Sequence, residues 1–167
     1  MMEFWHDDVL YHQPDILVVL VGEQDMYQHM WGHDRFQPSE YEKTLSRLIK
    51  ETKKKLPECR IVLVEPCISA IDENPYANGK ALTMLEPYRK SVKKIAEDCS
   101  ADFIPAHQTI TGLKKERNDT DLFGPNQVQL NMQGNIFLAE MIAEKLSESP
   151  AKKTIPNDGE TYLFIGD

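Results

Sequence analysis

Residues Ile16 to Val21 form an unbroken apolar run, with Pro14-Asp15 before it and Gly22-Glu23-Gln24-Asp25 after it. The run is too short for a typical helix and rich in β-branched residues. That pattern suits a strand buried on both faces, as in the middle of a parallel sheet. Pro14 blocks helical entry from upstream and Gly22 punctuates the exit. Arg60 to Val64 repeats the pattern and closes on Glu65-Pro66, and Ala101 to Ile104 is a shorter third strand ended by Pro105. A fourth run, Tyr162-Leu163-Phe164-Ile165-Gly166-Asp167, follows a polar linker from Ser147 to Thr161.

Between these runs the apolar period becomes helical. Met2, Trp5 and Val9 predict a short amphipathic helix that feeds the first strand. Ser39 and Glu42 form a capping-box pattern, and Tyr41, Leu45, Leu48, Ile49 and Leu56 share one helical face before Pro57 ends it. Pro87 suits the first position of a helix that buries Tyr88, Val92, Ile95, Ala96 and Cys99. Asn131 reads as the N-cap of a last helix carrying Phe137, Leu138, Met141, Ile142 and Leu146. The intervening stretches read as loops: Met26 to Pro38, rich in aromatics and histidines; Cys67 to Thr83; and the polar run from Gly112 to Asp121. Strands alternating with helices imply a parallel sheet covered on both faces by right-handed crossovers. In such sheets ligands bind at the carboxyl ends of the central strands, which directs attention to Gly22 through Asp25.

Composition narrows the function. A chain of 167 residues fits one domain, and 28% charged with 41% hydrophobic residues is a soluble globular profile. A net charge of −8 argues against a nucleic-acid partner. The cluster Lys53 to Lys55 sits at a helix end, where cations complement the dipole. No apolar run approaches membrane-spanning length, and Met1 to Val9 is too acidic and too broken for a signal peptide. Cys59, Cys67 and Cys99 are an odd number without metal-ligand spacing, so a reduced, cytoplasmic protein is expected, with no cofactor.

The order of motifs is informative: a strand followed by Gly-x-Gln-Asp, a helix, a strand ending Glu-Pro, a helix opening Leu-x-Pro-Tyr, another strand, and a late Val-x-x-x-x-x-Gly before the final helix. From Val9 to Leu146 this order resembles the SGNH (GDSL-type) hydrolases. The resemblance implies a flavodoxin-like three-layer α/β/α domain. It also implies ester hydrolysis by a serine, histidine and aspartate, with an oxyanion hole made by a backbone amide at the serine, a glycine and an asparagine.

Carried over residue by residue, the resemblance implies a degraded site. The family's Gly-x-Asn-Asp falls on Gly22, Glu23, Gln24 and Asp25, so a glutamine replaces the oxyanion asparagine. Its Asp-x-x-His falls on Asn126 and Gln129, with Gly134 at a downstream glycine. Glutamine takes no proton near neutral pH, so the general base is missing. The nucleophile motif has no match near the N-terminus, nor has the block that carries the oxyanion glycine. Instead Gly166 and Asp167 resemble the start of Gly-Asp-Ser, at the far end and without the serine. The expected architecture is one SGNH-like domain over 1–167, with 147–161 as linker and 162–167 standing for the first strand. Circular permutation and a cut from a tandem array both explain this, and the first requires Leu163 to Ile165 to lie parallel to Ile16 to Val21. Asp25 is expected to hold its own turn through backbone hydrogen bonds.

Rival sites have less behind them. His29 and His33, with Asp34 beside them, have metal-ligand spacing if helical, but Gly32 and the absent apolar periodicity predict a loop that overhangs the ligand end of the sheet. Ser69 lacks a nucleophile elbow and His107 reads as a surface histidine. Three functions stay open. One is a non-catalytic domain that binds a small acyl or sugar ligand, or a partner. The second is an active esterase using residues such as Ser69 with His107, or a site completed by another copy. The third is a structural piece that self-associates or swaps strands.

Overall fold

The computed structural model describes residues 4–68, 80–116, 122–124, 129–148 and 161–166. Its sheet has strands β1 (Ile16–Leu20), β2 (Arg60–Val64), β3 (Asp102–Ile104) and β4 (Tyr162–Gly166), in the order β3-β2-β1-β4. Every neighbouring pair is parallel. The helices are α1 (Glu23–Met30), α2 (Pro38–Lys55), α3 (Ala81–Cys99), α4 (Ala106–Glu116) and α5 (Met132–Ser147).

The two-residue period of the strands builds two cores. Leu17, Val19, Ile61 and Leu63 point to one face, where Met26 of α1, Leu45 and Ile49 of α2, and Leu85, Tyr88 and Val92 of α3 cover them. Ile16, Val18, Val62, Val64 and Ile104 point to the other, under Ala106 and Ile110 of α4 and Leu138 of α5. The result is the expected three-layer α/β/α arrangement with β1 inside the sheet. Among the described residues no helix is long and apolar enough to cross a membrane.

Arg60 ties the layers together at the amino end of the sheet. Its Nε donates to Asp102 Oδ2 at 2.7 Å, and its Nη1 and Nη2 donate to the carbonyls of Leu146 and Lys145 at 2.8 and 2.7 Å. One guanidinium thus pairs β2 with β3 and satisfies carbonyls at the carboxyl end of α5, where the helix dipole favours a cation. The lysines at the end of α2 work similarly, since Lys53 Nζ donates to the Cys99 and Ser100 carbonyls that close α3.

Several local expectations are corrected. The stretch after Asp25 is helical to Met30, because Met26 and Tyr27 turn into the first core. Gln37 precedes α2 without a side-chain cap, so Ser39 and Glu42 form no capping box. The Glu42 carboxylate reaches α3 instead, accepting from Ser91 Oγ at 2.9 Å and Lys94 Nζ at 2.5 Å. Pro87 lies inside α3, which begins at Ala81. The third loop begins with helix, since α4 runs to Glu116. Trp5 and Val9 are buried as expected, but Trp5 precedes and Val9 lies within a single π-type turn over His6–Leu10.

Candidate functional site

The carboxyl end of β1 is shaped by one turn. Gly22 has φ +121°, a left-handed conformation that a side chain would strain, and serves as the N-cap of α1. Glu23, Gln24 and Asp25 fill the first helical turn, where carboxylates complement the dipole. Asp25 lies in that first turn. The Tyr41 hydroxyl donates to the Val21 carbonyl at 3.0 Å and packs over Gly22, and its ring meets Tyr88 edge to face with centroids 5.1 Å apart. Tyr88 in turn donates to the Phe36 carbonyl at 2.7 Å. Burial, with the Asp25 charge adding, pushes the Tyr88 phenol up, so it stays a neutral donor.

Two clefts flank Val21. The first holds about 330 Å³ and is lined by Leu20, Val21, Glu23, Glu65, Pro66, Cys67, Ala106, Gln129, Leu130, Asn135 and Leu138. Its far wall is built by an antiparallel clasp. Phe123 bridges Leu130, Gly124 N–H donates to the Gln129 carbonyl at 2.7 Å, and Asn131 N–H donates to the Leu122 carbonyl at 3.0 Å. Asn131 then caps α5 as expected, its Oδ1 accepting from Gly134 N–H at 2.9 Å. A Cβ on Gly134 would collide with the Leu122 carbonyl oxygen, which explains the glycine. The clasp thereby sets Gln129 opposite the end of β1.

Glu65 is the cleft's fixed charge and was not singled out from sequence. It is 5% exposed, and its Oε1 accepts from Arg89 Nε at 2.8 Å while its Oε2 accepts from Gln108 N–H at 3.2 Å. The carboxylate therefore caps the first turn of α4 and pairs with α3 together. The available signal was a carboxylate directly after an apolar strand, a position that closes a strand and also faces the ligand end of the sheet. Cys67 beside it is buried, and burial, then the charges of Glu65 and Glu23, push its thiol well up. A thiol so held remains protonated and is a poor nucleophile.

The second cleft, also about 330 Å³, is lined by Trp5, Asp8, Val21, Gln24, Asp25, Gln28, Phe36, Ile165 and Gly166. The residues singled out from sequence therefore divide. Gln129 is in the first cleft; Gln24, Asp25 and Gly166 are in the second; and Gly22 forms the turn between them. Gly166 lies beside Leu20 in register, so the ends of β1 and β4 adjoin as the resemblance implies. Asn126, Asp167 and Ser69 lie outside the described residues.

The histidines depart from expectation. His107 is 6% exposed rather than on the surface, and it lies in the first turn of α4. Its Nδ1 is buried without a hydrogen-bond partner among the described residues. Burial first, then the Arg89 charge, bring its pKa down to about 4, so the ring is neutral at neutral pH. His29 sits in the last turn of α1 rather than on a loop, while His33 is exposed beyond Gly32, which has φ +90°. The helix ends between them, so they do not share a helical face. Among the described residues no group of three or more His, Cys, Asp or Glu side chains is placed to hold a metal ion.

No family model and no curated protein matches the chain. Solved structures do. A GDSL-like lipase of Parabacteroides merdae is 28% identical, with a TM-score of 0.74, covering 88% of this chain and 66% of its own. An acetylxylan esterase of Geobacillus stearothermophilus is 22% identical, with a TM-score of 0.71, covering 86% of this chain and 64% of its own. An α/β hydrolase from the Lake Arreo metagenome is 18% identical, with a TM-score of 0.73, covering 87% of this chain and 65% of its own. The chain thus spans about two thirds of the length of the solved structures it matches. Parallel sheet, flanking helical layers and these likenesses agree: the chain carries the fold of the SGNH (GDSL-type) hydrolases.

Proposed function

We propose that this hydrolase-like domain is non-catalytic and binds a small, uncharged acyl or sugar ligand in the cleft between β1, β2 and α5. The observation that carries this reading is Gln129, an amide on the cleft wall at the position the resemblance gives to the catalytic histidine. An amide cannot accept the hydroxyl proton that ester cleavage must move. Of the nearby groups, Cys67 is held as a thiol, and a histidine with a pKa near 4 is a weak base at neutral pH. The lining suits a ligand with both apolar and hydroxyl-rich parts. Leu20, Leu130 and Leu138 provide contact surface, while Gln129 and Asn135 offer amide donors and acceptors. Acetylated xylo-oligosaccharides, substrates of an esterase sharing the fold, combine those parts.

A calorimetric titration with acetylated xylo-oligosaccharides, run beside a p-nitrophenyl acetate assay and fluorophosphonate labelling, tests the reading. Saturable binding weakened by Gln129→Ala, without turnover or labelling, is expected. Turnover abolished by Ser69→Ala or His107→Ala would establish the active esterase instead.

A further inference from the structure

Both charged residues that line the first cleft, Glu23 and Glu65, are acidic, and among its described lining residues none is a lysine, arginine or histidine. Two nearby features could offset that charge, and each is already engaged. The Arg89 guanidinium donates to Glu65 Oε1 through Nε and to Glu86 Oε2 through Nη1, at 2.8 Å each. One positive charge thus answers two carboxylates, which leaves a negative charge over. The amino end of α4 reaches the cleft at Ala106, and its amides would otherwise attract an anion. Glu65 Oε2 takes that place, accepting from Gln108 N–H at 3.2 Å.

Cys67 registers the balance from the cleft wall. After burial, the charges of Glu65 and then Glu23 push its thiol up, each more than Arg89 brings it down, so the potential there is negative. The two carboxylates differ in what they can meet. Glu65 is 5% exposed and bonded to α3 and α4, whereas Glu23 is half-buried in the first turn of α1 and borders the cleft.

We infer that Glu23 sets the charge specificity of this cleft: its carboxylate accepts from hydroxyl groups of a neutral ligand and turns away carboxylates and phosphates. The inference rests on the binding role proposed for the cleft, and it narrows the ligand to a sugar or ester without a free acid group. An anion would leave water for a wall of Leu20, Leu130 and Leu138, with a like charge facing it and no lining cation to receive it. A hydroxyl meets the opposite situation, because an ionised carboxylate is a strong acceptor. Gln129 and Asn135 add neutral amides, which serve a hydroxylated ligand without altering the charge.

A chemical probe tests the field without a ligand. A thiol introduced on α5 by Asn135→Cys is treated with methanethiosulfonates of similar size and opposite charge, and both rates are read at that residue by mass spectrometry. Their ratio cancels any change in the thiol's own ionisation. The cationic reagent should react at least about tenfold faster, and Glu23→Gln should lower that ratio at least about threefold, as one charge at close range does in a partly screened site. Glu23→Ser serves if the glutamine variant misfolds. Calorimetry then compares acetylated glucuronamide with acetylated glucuronic acid, which share a shape and differ by one negative charge. The amide should bind at least about tenfold more tightly, and Glu23→Gln should narrow the gap. A thiol ratio near one, a ratio that neither variant changes, or equal affinities for the two sugars would overturn the inference. So would binding of neither by a chain that binds acetylated xylo-oligosaccharides. A chain that binds none of these sugars overturns the proposed function instead, and the thiol ratio still judges Glu23.

Discussion

The Tyr41 hydroxyl, on α2, holds the Val21 carbonyl at 3.0 Å and stands 2.9 Å from where a Cβ on Gly22 would sit. One phenol therefore fixes the turn that separates the two clefts. Tyr41→Phe should cost about 1 kcal/mol, a typical buried hydrogen bond. Gly22→Ala should cost more, about 2–3 kcal/mol, since it adds positive-φ strain to a collision with the ring. Urea melts of both variants check the order, and a Gly22→Ala loss no larger than that of Tyr41→Phe would contradict it.

Arg60 is the second point where small chemistry has long reach. Its side chain is 14% exposed, and its partners come from β3 and the last turn of α5. Arg60→Ala should destabilise by about 3 kcal/mol, because it strands the Asp102 carboxylate and two helix-terminal carbonyls. Arg60→Lys should recover only a minority of this, as an ammonium cannot reproduce the planar fork. Chemical denaturation of the pair measures both effects.

Much of the sheet was legible because buried parallel strands leave a signature that survives without context. The runs at Ile16 and Arg60 are apolar on both faces, and the fold buries both faces, whereas β3 carries Asp102 and buries Ile104 alone. The parallel pairing of Leu163 to Ile165 with β1 was reachable through motif order, although the run is not buried on both faces, since Tyr162 and Phe164 are exposed. Helices whose apolar face is short were not. In α1 only Met26 and Tyr27 are buried, and in α4 the inward groups near the start include a histidine. The misread capping box has a tertiary cause, since Ser91 and Lys94 on a neighbouring helix draw Glu42 away from the backbone of its own. At the site, Gln129, Gln24 and Gly166 were reachable through motif order. Glu65 was not, because its role arises from Arg89 and Gln108, which come together only in the fold.

The buried His107 makes stability depend on pH with a definite sign. Its folded pKa, about 4, lies below the ordinary value of 6.5, mainly through burial and secondarily through Arg89, with Glu86 acting the other way. Between those values the unfolded chain binds more protons than the folded one, so stability rises with pH there. The contribution is complete above pH 6.5 and is lost as pH falls toward 4. Denaturation midpoints for the wild type and His107→Leu, taken at intervals between pH 4 and 7, should diverge in slope. The variant should lack the histidine's share of the acid loss, and parallel slopes would mean that the ring stays hydrated in the folded state.

The two faces of β4 should respond differently to truncation. Leu163 and Ile165 pack against the first core beside Leu17 and Val19, and are half-buried. Replacing either with alanine removes apolar contact from a strand that also shields the edge of β1, and should cost about 1–2 kcal/mol, below the full price of a buried site because the cover is partial. Phe164 faces outward at 59% exposure, so Phe164→Ala should change the stability of the dilute chain by less than about 0.5 kcal/mol. Removing the strand altogether is a larger insult. Thr161 gives its carbonyl to Asp15 and Ile16, and its N–H donates to Asp15 Oδ2 at 3.1 Å, so the strand is anchored at its start as well as along its length. A chain lacking residues from Thr161 onward leaves a row of β1 backbone groups without strand partners, and is expected to unfold or aggregate at temperatures the intact chain withstands. Thermal melts of the three alanine variants and the truncation, all at low concentration, separate these effects. Equal losses for Leu163→Ala and Phe164→Ala, or a truncation that melts with the intact chain, would show that β4 contributes nothing to the fold it borders.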